Sequence, residues 1–206
     1  MLGGPTAMVV AALALAAGAA PASADRTSIS GAGDQVPLSA YLSPAAADAV
    51  LGSWGLDGWK RGRFVPDALR FAHSCSTDPP GGASSVLRDD EDASIRSVIG
   101  TRETQAAATR THARLVNRVE VCVLDRGEAD RLVLGAKVKT DDGVARLFGL
   151  DLGKARSAHN LEYVAVAHSG RAVEVSTFHV LAQDTLPPRT LRRLAVEAVD
   201  RLSKAS

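Results

Sequence analysis

Five histidines stand at positions 73, 112, 159, 168 and 179, and no two have the i, i+4 spacing that lets one helix face hold a metal ion. His112 falls on the apolar face of a predicted helix, where an imidazole is expected as a core residue with its nitrogens satisfied. His168 sits beside Ser169 at a predicted hairpin tip, which offers no rigid shell to hold a base against a nucleophile. Gly52-Ser53-Trp54-Gly55 is too short for the Gly-x-Ser-x-Gly nucleophile elbow. Gly31-Ala32-Gly33-Asp34-Gln35-Val36 lacks the third glycine of a dinucleotide loop. The acidic run Asp89-Asp90-Glu91-Asp92 lacks the glycine and distal glutamate of a calcium loop and reads as a solvated turn. No catalytic residue, metal ligand or cofactor is therefore expected.

The charge pattern holds a sharper hint. Arg110, Arg114 and Arg118 repeat at four-residue steps, with no acidic residue four positions from any of them. Like charges at this spacing cost a few tenths of a kcal/mol per pair. The stripe reads either as an exposed, solvated face or as an anion-binding strip beside a groove. Over the whole chain, 24 Lys+Arg face 23 Asp+Glu, a net charge of +1, which supplies no general attraction to nucleic acid or an anionic membrane.

An address is written before these residues. Met8 to Ala20 is an unbroken run of small and apolar side chains, followed by Pro21 and by Ala22-Ser23-Ala24, a small-x-small cleavage pattern. This is the anatomy of a secretory leader, residues 1–24, although no Lys or Arg precedes the run. The run is shorter than the ~20 apolar residues needed to span a bilayer. No Cys follows it to carry a lipid, so no stable membrane anchor is expected. In an oxidising compartment the two cysteines, Cys75 and Cys122, are expected as a structural disulfide. Closing a loop of that length contributes about 4 kcal/mol in chain-entropy terms.

The elements that would position these groups follow from periodicity. Residues 25–36 read as a flexible lead-in, and 37–206 as one domain. Ser43 and Pro44 open a short helix ending at Leu51, and the Trp54–Trp59 loop should anchor on the core through at least one indole. Ala93 to Ile99 alternates as a strand. A long helix from an N-cap at Thr101 to about Val123 buries Ala108, His112, Leu115, Val119 and Cys122 on one face. Two hairpins follow. The first turns at Asp141-Asp142-Gly143. The second, Leu161–His168 with Arg171–Val180, turns at Ser169-Gly170, which pairs Val166 with Val173 and Val164 with Val175 on the core face. Its other face presents Leu161, Tyr163, Ala165, Glu174, Ser176 and Phe178 as a mixed surface. After Pro187-Pro188 a helix shows the stripe Leu191, Leu194, Ala195, Ala198, Val199 and Leu202, with Arg and Glu opposite. Segregated strands and helices predict an α+β fold: an antiparallel sheet of two consecutive hairpins plus an earlier strand, packed on one long central helix and a C-terminal helix.

The order of these elements resembles a family. The Leu38-Ser39-Ala40-Tyr41-Leu42-Ser43-Pro44 opening, the Trp loop, Cys75, Ser85-Val86-Leu87-Arg88-Asp89 and Val119-Glu120-Val121-Cys122 carry the resemblance. So do Val164-Ala165-Val166-Ala167, Gly170-Arg171-Ala172-Val173-Glu174-Val175 and the final helix. The chain is similar to actinobacterial secreted proteins related to the extracellular sensor domain of mycobacterial serine/threonine kinase H. The resemblance implies an α+β domain whose sheet and helices frame a ligand-binding cleft. It also implies a signalling partner, because neither a kinase domain nor a membrane span is evident. The kinase sensor has two disulfides, whereas Cys75 and Cys122 can form one.

The resulting expectation is a secreted, non-enzymatic ligand-binding or sensor-like domain. Its cleft would draw on Tyr163, Glu174, Ser176 and Phe178, with Arg114 and Arg118 nearby, and would take a small molecule or cell-envelope component. A secreted protein–protein module, such as an inhibitor or envelope adaptor, is the alternative, with a hydrolase behind it.

Overall fold

The computed structural model describes residues 36–62, 75, 78–79, 82–88, 93–125, 131–155 and 158–205. The leader, the lead-in up to residue 35 and the acidic run 89–92 lie outside them.

Helix α1 (Pro44–Leu51) starts as capping chemistry requires. The Ser43 hydroxyl accepts from Ala46 N at 3.1 Å, and Pro44 occupies the first turn, where its missing N–H has no partner to lose. The Trp loop that follows is anchored through Trp59. Its indole N–H donates to Leu56 O at 2.9 Å, and its ring meets Phe178 edge-on at 6.1 Å.

Seven strands follow: β1 (Lys60–Gly62), β2 (Ala83–Arg88), β3 (Ser94–Thr101), β4 (Arg131–Lys139), β5 (Gly143–Ala155), β6 (Ala158–Ser169) and β7 (Ala172–Ala182). They form one antiparallel sheet in the order β1-β2-β3-β7-β6-β5-β4. The long helix α2 (Gln105–Asp125) carries the chain from β3, inside the sheet, to β4 at its edge. The meander β4–β7 then returns, so that β7 pairs with β3. The C-terminal helix is α3 (Pro188–Ala205). The α+β class is as expected, in a larger sheet: β1 and β2 extend it, and the two hairpins join as one meander because β5 also pairs with β6.

Two local expectations are corrected. Thr101 is the last residue of β3 and caps nothing; Thr104 takes that role, its Oγ1 accepting from Ala107 N at 3.1 Å. The β6–β7 turn lies at Gly170-Arg171, between the paired Ser169 and Ala172. A two-residue hairpin wants positive φ at its first central position, and Gly170, with φ 51°, supplies it. Moving the turn by one residue moves every pair by two: Val166 lies opposite Val175, Val164 opposite Thr177 and His168 opposite Val173. The side-chain faces survive this change, since a shift of two preserves the alternation.

Both faces of the central strands are covered. Val164, Val166, Val173 and Val175 pack with Phe148 and Leu150 against Ala108, Leu115 and Val119 of α2. Tyr163, Phe178, Leu147 and Leu161 pack on the other side against Leu191, Ala195, Ala198 and Leu202 of α3. The face expected to be a mixed surface is thus interior. An amphipathic helix with a complete apolar stripe must bury it, and this face is where α3 does so. Gly143 is needed where β5 begins: a Cβ there would lie 2.1 Å from His168 O.

Candidate functional site

The interface between α3 and the sheet is not filled. A cavity of 40 Å³ remains, bounded by Ile95, Leu147, Ala165 and Phe178 on the strands and by Leu191 and Ala198 on the helix. Small side chains at Ala165 and Ala198 leave this space. Tyr163 also lines it; its ring stacks on Phe178 at 6.0 Å, and its hydroxyl accepts from Leu186 N at 2.9 Å, fixing the segment that leads into α3. Burial raises the Tyr163 phenol above its ordinary range, against the effect of the Leu186 bond.

Two polar residues break the apolar lining, Ser176 of β7 and Arg201 of α3. Behind them lies Glu174, 0% exposed. Its Oε1 stands 3.5 Å from Arg201 Nη2 and accepts a short hydrogen bond from the Ser176 hydroxyl. With the Ser176 proton committed there, Ser97 donates to Ser176 Oγ at 2.8 Å. Arg201, 7% exposed, donates from Nε to Ala40 O at 3.3 Å, and its Nη1 lies 3.7 Å from Glu197 Oε1, beyond hydrogen-bond reach. Glu174 Oε2 and Arg201 Nη1 are buried and have no hydrogen-bond partner. Such orphaned groups are uncommon in folded proteins and call for a water or ligand to complete them.

The surroundings respond to this pair. Tyr41 donates to Ala83 O at 2.8 Å, and its phenol is pushed up to about 12, first by burial and then by the Glu174 charge. Arg61 of β1 donates to Ser85 Oγ at 2.7 Å and to Leu42 O at 3.4 Å; burial and the Arg201 charge lower its pKa.

Of the expected site residues, Tyr163, Ser176 and Phe178 line this cavity, and Glu174 lies behind Ser176, to which it is hydrogen-bonded. It does not bring Arg114 and Arg118 there. Both project from the exposed side of α2, which covers the opposite face of the sheet, and with Arg110 they form no ion pair with any described residue. Arg201 and Tyr41 are site residues that periodicity reading missed. The signal for Arg201 was present: it stands three residues beyond Ala198 and next to Leu202, within the phase of the apolar stripe.

His73 lies outside the described residues; His112 and His168 lie on one side of the sheet, apart from the cavity. His112 and His168 lie 5.8 Å apart between α2 and the sheet. The His112 Nε2–H donates to Val166 O at 3.2 Å, while His168 Nε2 stands 3.4 Å from Thr109 Oγ1. His159 pairs with Asp151 at 2.8 Å. Among the described residues no three His, Cys, Asp or Glu side chains gather as a metal site. Cys75 and Cys122 are disulfide-bonded with Cα atoms 5.6 Å apart, and buried Glu162 accepts from Cys75 N at 3.2 Å.

No protein-family model and no curated protein matches the chain. Among solved structures, the extracellular domain of PknH from Mycobacterium tuberculosis is similar at 10% identity, over 80% of this chain and 93% of that one, with a TM-score of 0.44. Cyanobacterial PsbP (CyanoP) from Synechocystis is similar at 15% identity, over 72% and 80%, with a TM-score of 0.35. Both likenesses are distant, and nothing about a ligand follows from them.

Proposed function

We propose that this protein is a secreted, non-enzymatic binding domain that receives a small, mainly apolar molecule between α3 and the sheet. The observation that carries the reading is the 40 Å³ space at the α3–sheet interface, apolar except for Ser176 and the incompletely bonded Arg201. Well-packed interiors leave few voids larger than a water molecule, and large side chains at Ala165 and Ala198 would have closed this one. The disulfide fits an oxidising compartment, and no helix among the described residues is long and apolar enough to cross a membrane. The space suits a short alkyl group, with any larger ligand extending toward solvent between the helix and the strands.

Xenon tests the site without assuming a natural ligand, since dry apolar cavities bind it. Under xenon pressure, the methyl resonances of Ala165, Leu194 and Ala198 should shift in a saturable way, and Ala198→Leu should abolish the response. Wild-type protein that shows no saturable shift at these methyls would sink the proposal. An untouched response in folded Ala198→Leu would place the xenon elsewhere and would also defeat it.

A further inference from the structure

We infer that the protein carries a second ligand site, where the chain leaves β7, and that this site takes an organic cation with apolar substituents, a quaternary ammonium group. The site is independent of the cavity under α3, with which it shares no lining residue.

A pocket of 260 Å³ opens where the Trp loop meets the end of β7, walled by Trp54 and Leu56 on one side and by Val180 to Asp184 and Leu186 on the other. Tyr41, Trp59, Phe148, Tyr163 and Phe178 are buried, so Trp54 is the one Phe, Tyr or Trp among the described residues that is not. It is half-buried, packed against the core while also lining the pocket. The backbone fixes it in this position. Trp54 ends a single 3-10 turn (Gly52–Trp54), and Gly55, with φ 71°, closes that turn by donating from its N–H to Gly52 O at 3.0 Å. The carbonyl of Leu56 is held by the Trp59 indole N–H at 2.9 Å, and Leu186 N by the Tyr163 hydroxyl at 2.9 Å. Both walls are therefore set before a ligand arrives, which lowers the ordering cost of binding.

The lining decides what can bind. It offers an indole, the apolar side chains of Leu56, Val180 and Leu186, one amide at Gln183, and a single charge at Asp184. No Lys, Arg or His lines it. A second exposed carboxylate, Asp57, follows Leu56 in the loop. The local charge is thus negative on a chain whose net charge is +1. The side chains of Trp54, Gln183 and Asp184 form no hydrogen bond or ion pair among the described residues. An anion would meet Asp184 with no cation to offset it. A neutral molecule would gain from the apolar wall but leave the carboxylate unused. A cation engages both, because the indole face attracts it through the ring quadrupole and Asp184 through its charge. Alkyl groups on the nitrogen match Leu56, Val180 and Leu186, whereas a bare ammonium would give up strong hydration on entering.

Three probes of one shape and different charge test this: choline, 3,3-dimethyl-1-butanol and 3,3-dimethylbutanoate. Each is titrated into the isotope-labelled full chain at neutral pH and low salt, and binding is read from the backbone amide resonances of Gln183 and Asp184. Choline should bind about 3- to 30-fold more tightly than the alcohol, and the butanoate more weakly than the alcohol. Asp184→Asn, at an exposed position where substitution leaves the fold intact, should lower choline affinity about 2- to 5-fold and leave the alcohol unchanged. Trp54→Leu keeps an apolar wall without the quadrupole and should remove most of the remaining preference for choline. Choline that binds no more tightly than the alcohol, or that gives no saturable shift, overturns the inference. So does a preference for the butanoate. A choline preference undiminished in both variants would place the cation elsewhere and would defeat the inference as well. The xenon experiment on the α3 cavity stands or falls separately from each of these results.

Discussion

Against α2 the sheet presents Val164, Val166, Val173 and Val175; against α3 it presents Tyr163, Ala165, Glu174, Ser176 and Phe178. At its centre the α2 side is a block of four valines flanked by Phe148 and Leu150, on which a helix with Ala108, Leu115 and Val119 closes by apolar packing, with His112 and His168 at its margin. A covalent bond from Cys122 then holds the C-terminal end of that helix to the segment bearing Cys75. The α3 side mixes rings, small side chains and a buried ion pair, and no covalent link joins its helix to the sheet. One face is built to stay shut. The other has space, orphaned polar atoms and a helix held by non-covalent contacts, which are the properties a binding site requires.

The largest way to break this contrast is at Glu174. Glu174→Ala strands the Arg201 guanidinium in the interior and should cost about 3–5 kcal/mol in urea denaturation, as for other buried pairs deprived of one partner. Removing both charges, with Glu174→Leu and Arg201→Met, should restore most of that loss, because the desolvation of each ion disappears along with their attraction. A single variant within 0.5 kcal/mol of wild type would show that the pair is solvated and that the α3 face is not as dry as its burial indicates.

The disulfide sharpens the comparison from the other side. Replacing Cys75 and Cys122 together by Ala should lower stability by about 2–4 kcal/mol. Hydrogen exchange should show the loss concentrated in α2 while the amides of α3 keep their protection. Equal loss in both helices would mean that the two faces open as one unit.

The faces should also differ in their response to acid. His112 and His168 are both held below the ordinary histidine range, chiefly by burial; for His112 the His168 and Lys137 charges add to this, and the backbone bonds from Val166 and Gly170 only partly oppose it. The unfolded chain therefore binds these protons more readily than the folded one. Their contribution is fully present above the unfolded pKa of about 6.5 and is lost as pH falls through the folded values. Stability should fall as the pH is lowered from 7 to 5, and His112→Gln with His168→Gln should flatten that slope. A slope unchanged in the double variant would assign it to carboxylates instead.

How far the sequence reaches can be judged on particular residues. Helix α2, its buried face and the Cys75–Cys122 bond were legible because a 3.6-residue period and a chain with just two cysteines behind an apolar leader-like run can be read from local information. The residues on the α3 side of β6 and β7 were legible as a set, since alternation places Tyr163, Glu174, Ser176 and Phe178 by parity alone. That they lie in the interior was not, because only the return of a distant helix covers them. Arg201 was hidden by its chemistry: an arginine in an apolar stripe reads as solvent-facing unless a buried carboxylate 27 positions away is known to meet it. The strands β1 and β2 were missed because β1 is only the three exposed residues Lys60–Gly62, and β2 opens on Ala-Ser-Ser with no apolar alternation.

The smallest expected effect concerns the arginines of α2. Arg110, Arg114 and Arg118 succeed one another at about 6 Å along the helix, all exposed and without an ion pair among the described residues. Glu120, the acidic residue nearest to them on the helix, is engaged by Arg146 at 3.0 Å. Exposed charges without partners contribute little, and relieving their mutual repulsion offsets the loss of solvated cations. The triple change to Gln should therefore leave thermal stability within ~0.5 kcal/mol of wild type. It should also leave the xenon response of the Ala165 and Ala198 methyls unchanged, since the sheet separates these side chains from the cavity. A weakened xenon response in the triple variant would mean that the two faces communicate through the strands, and the division between a closed face and a receptive one would have to be withdrawn.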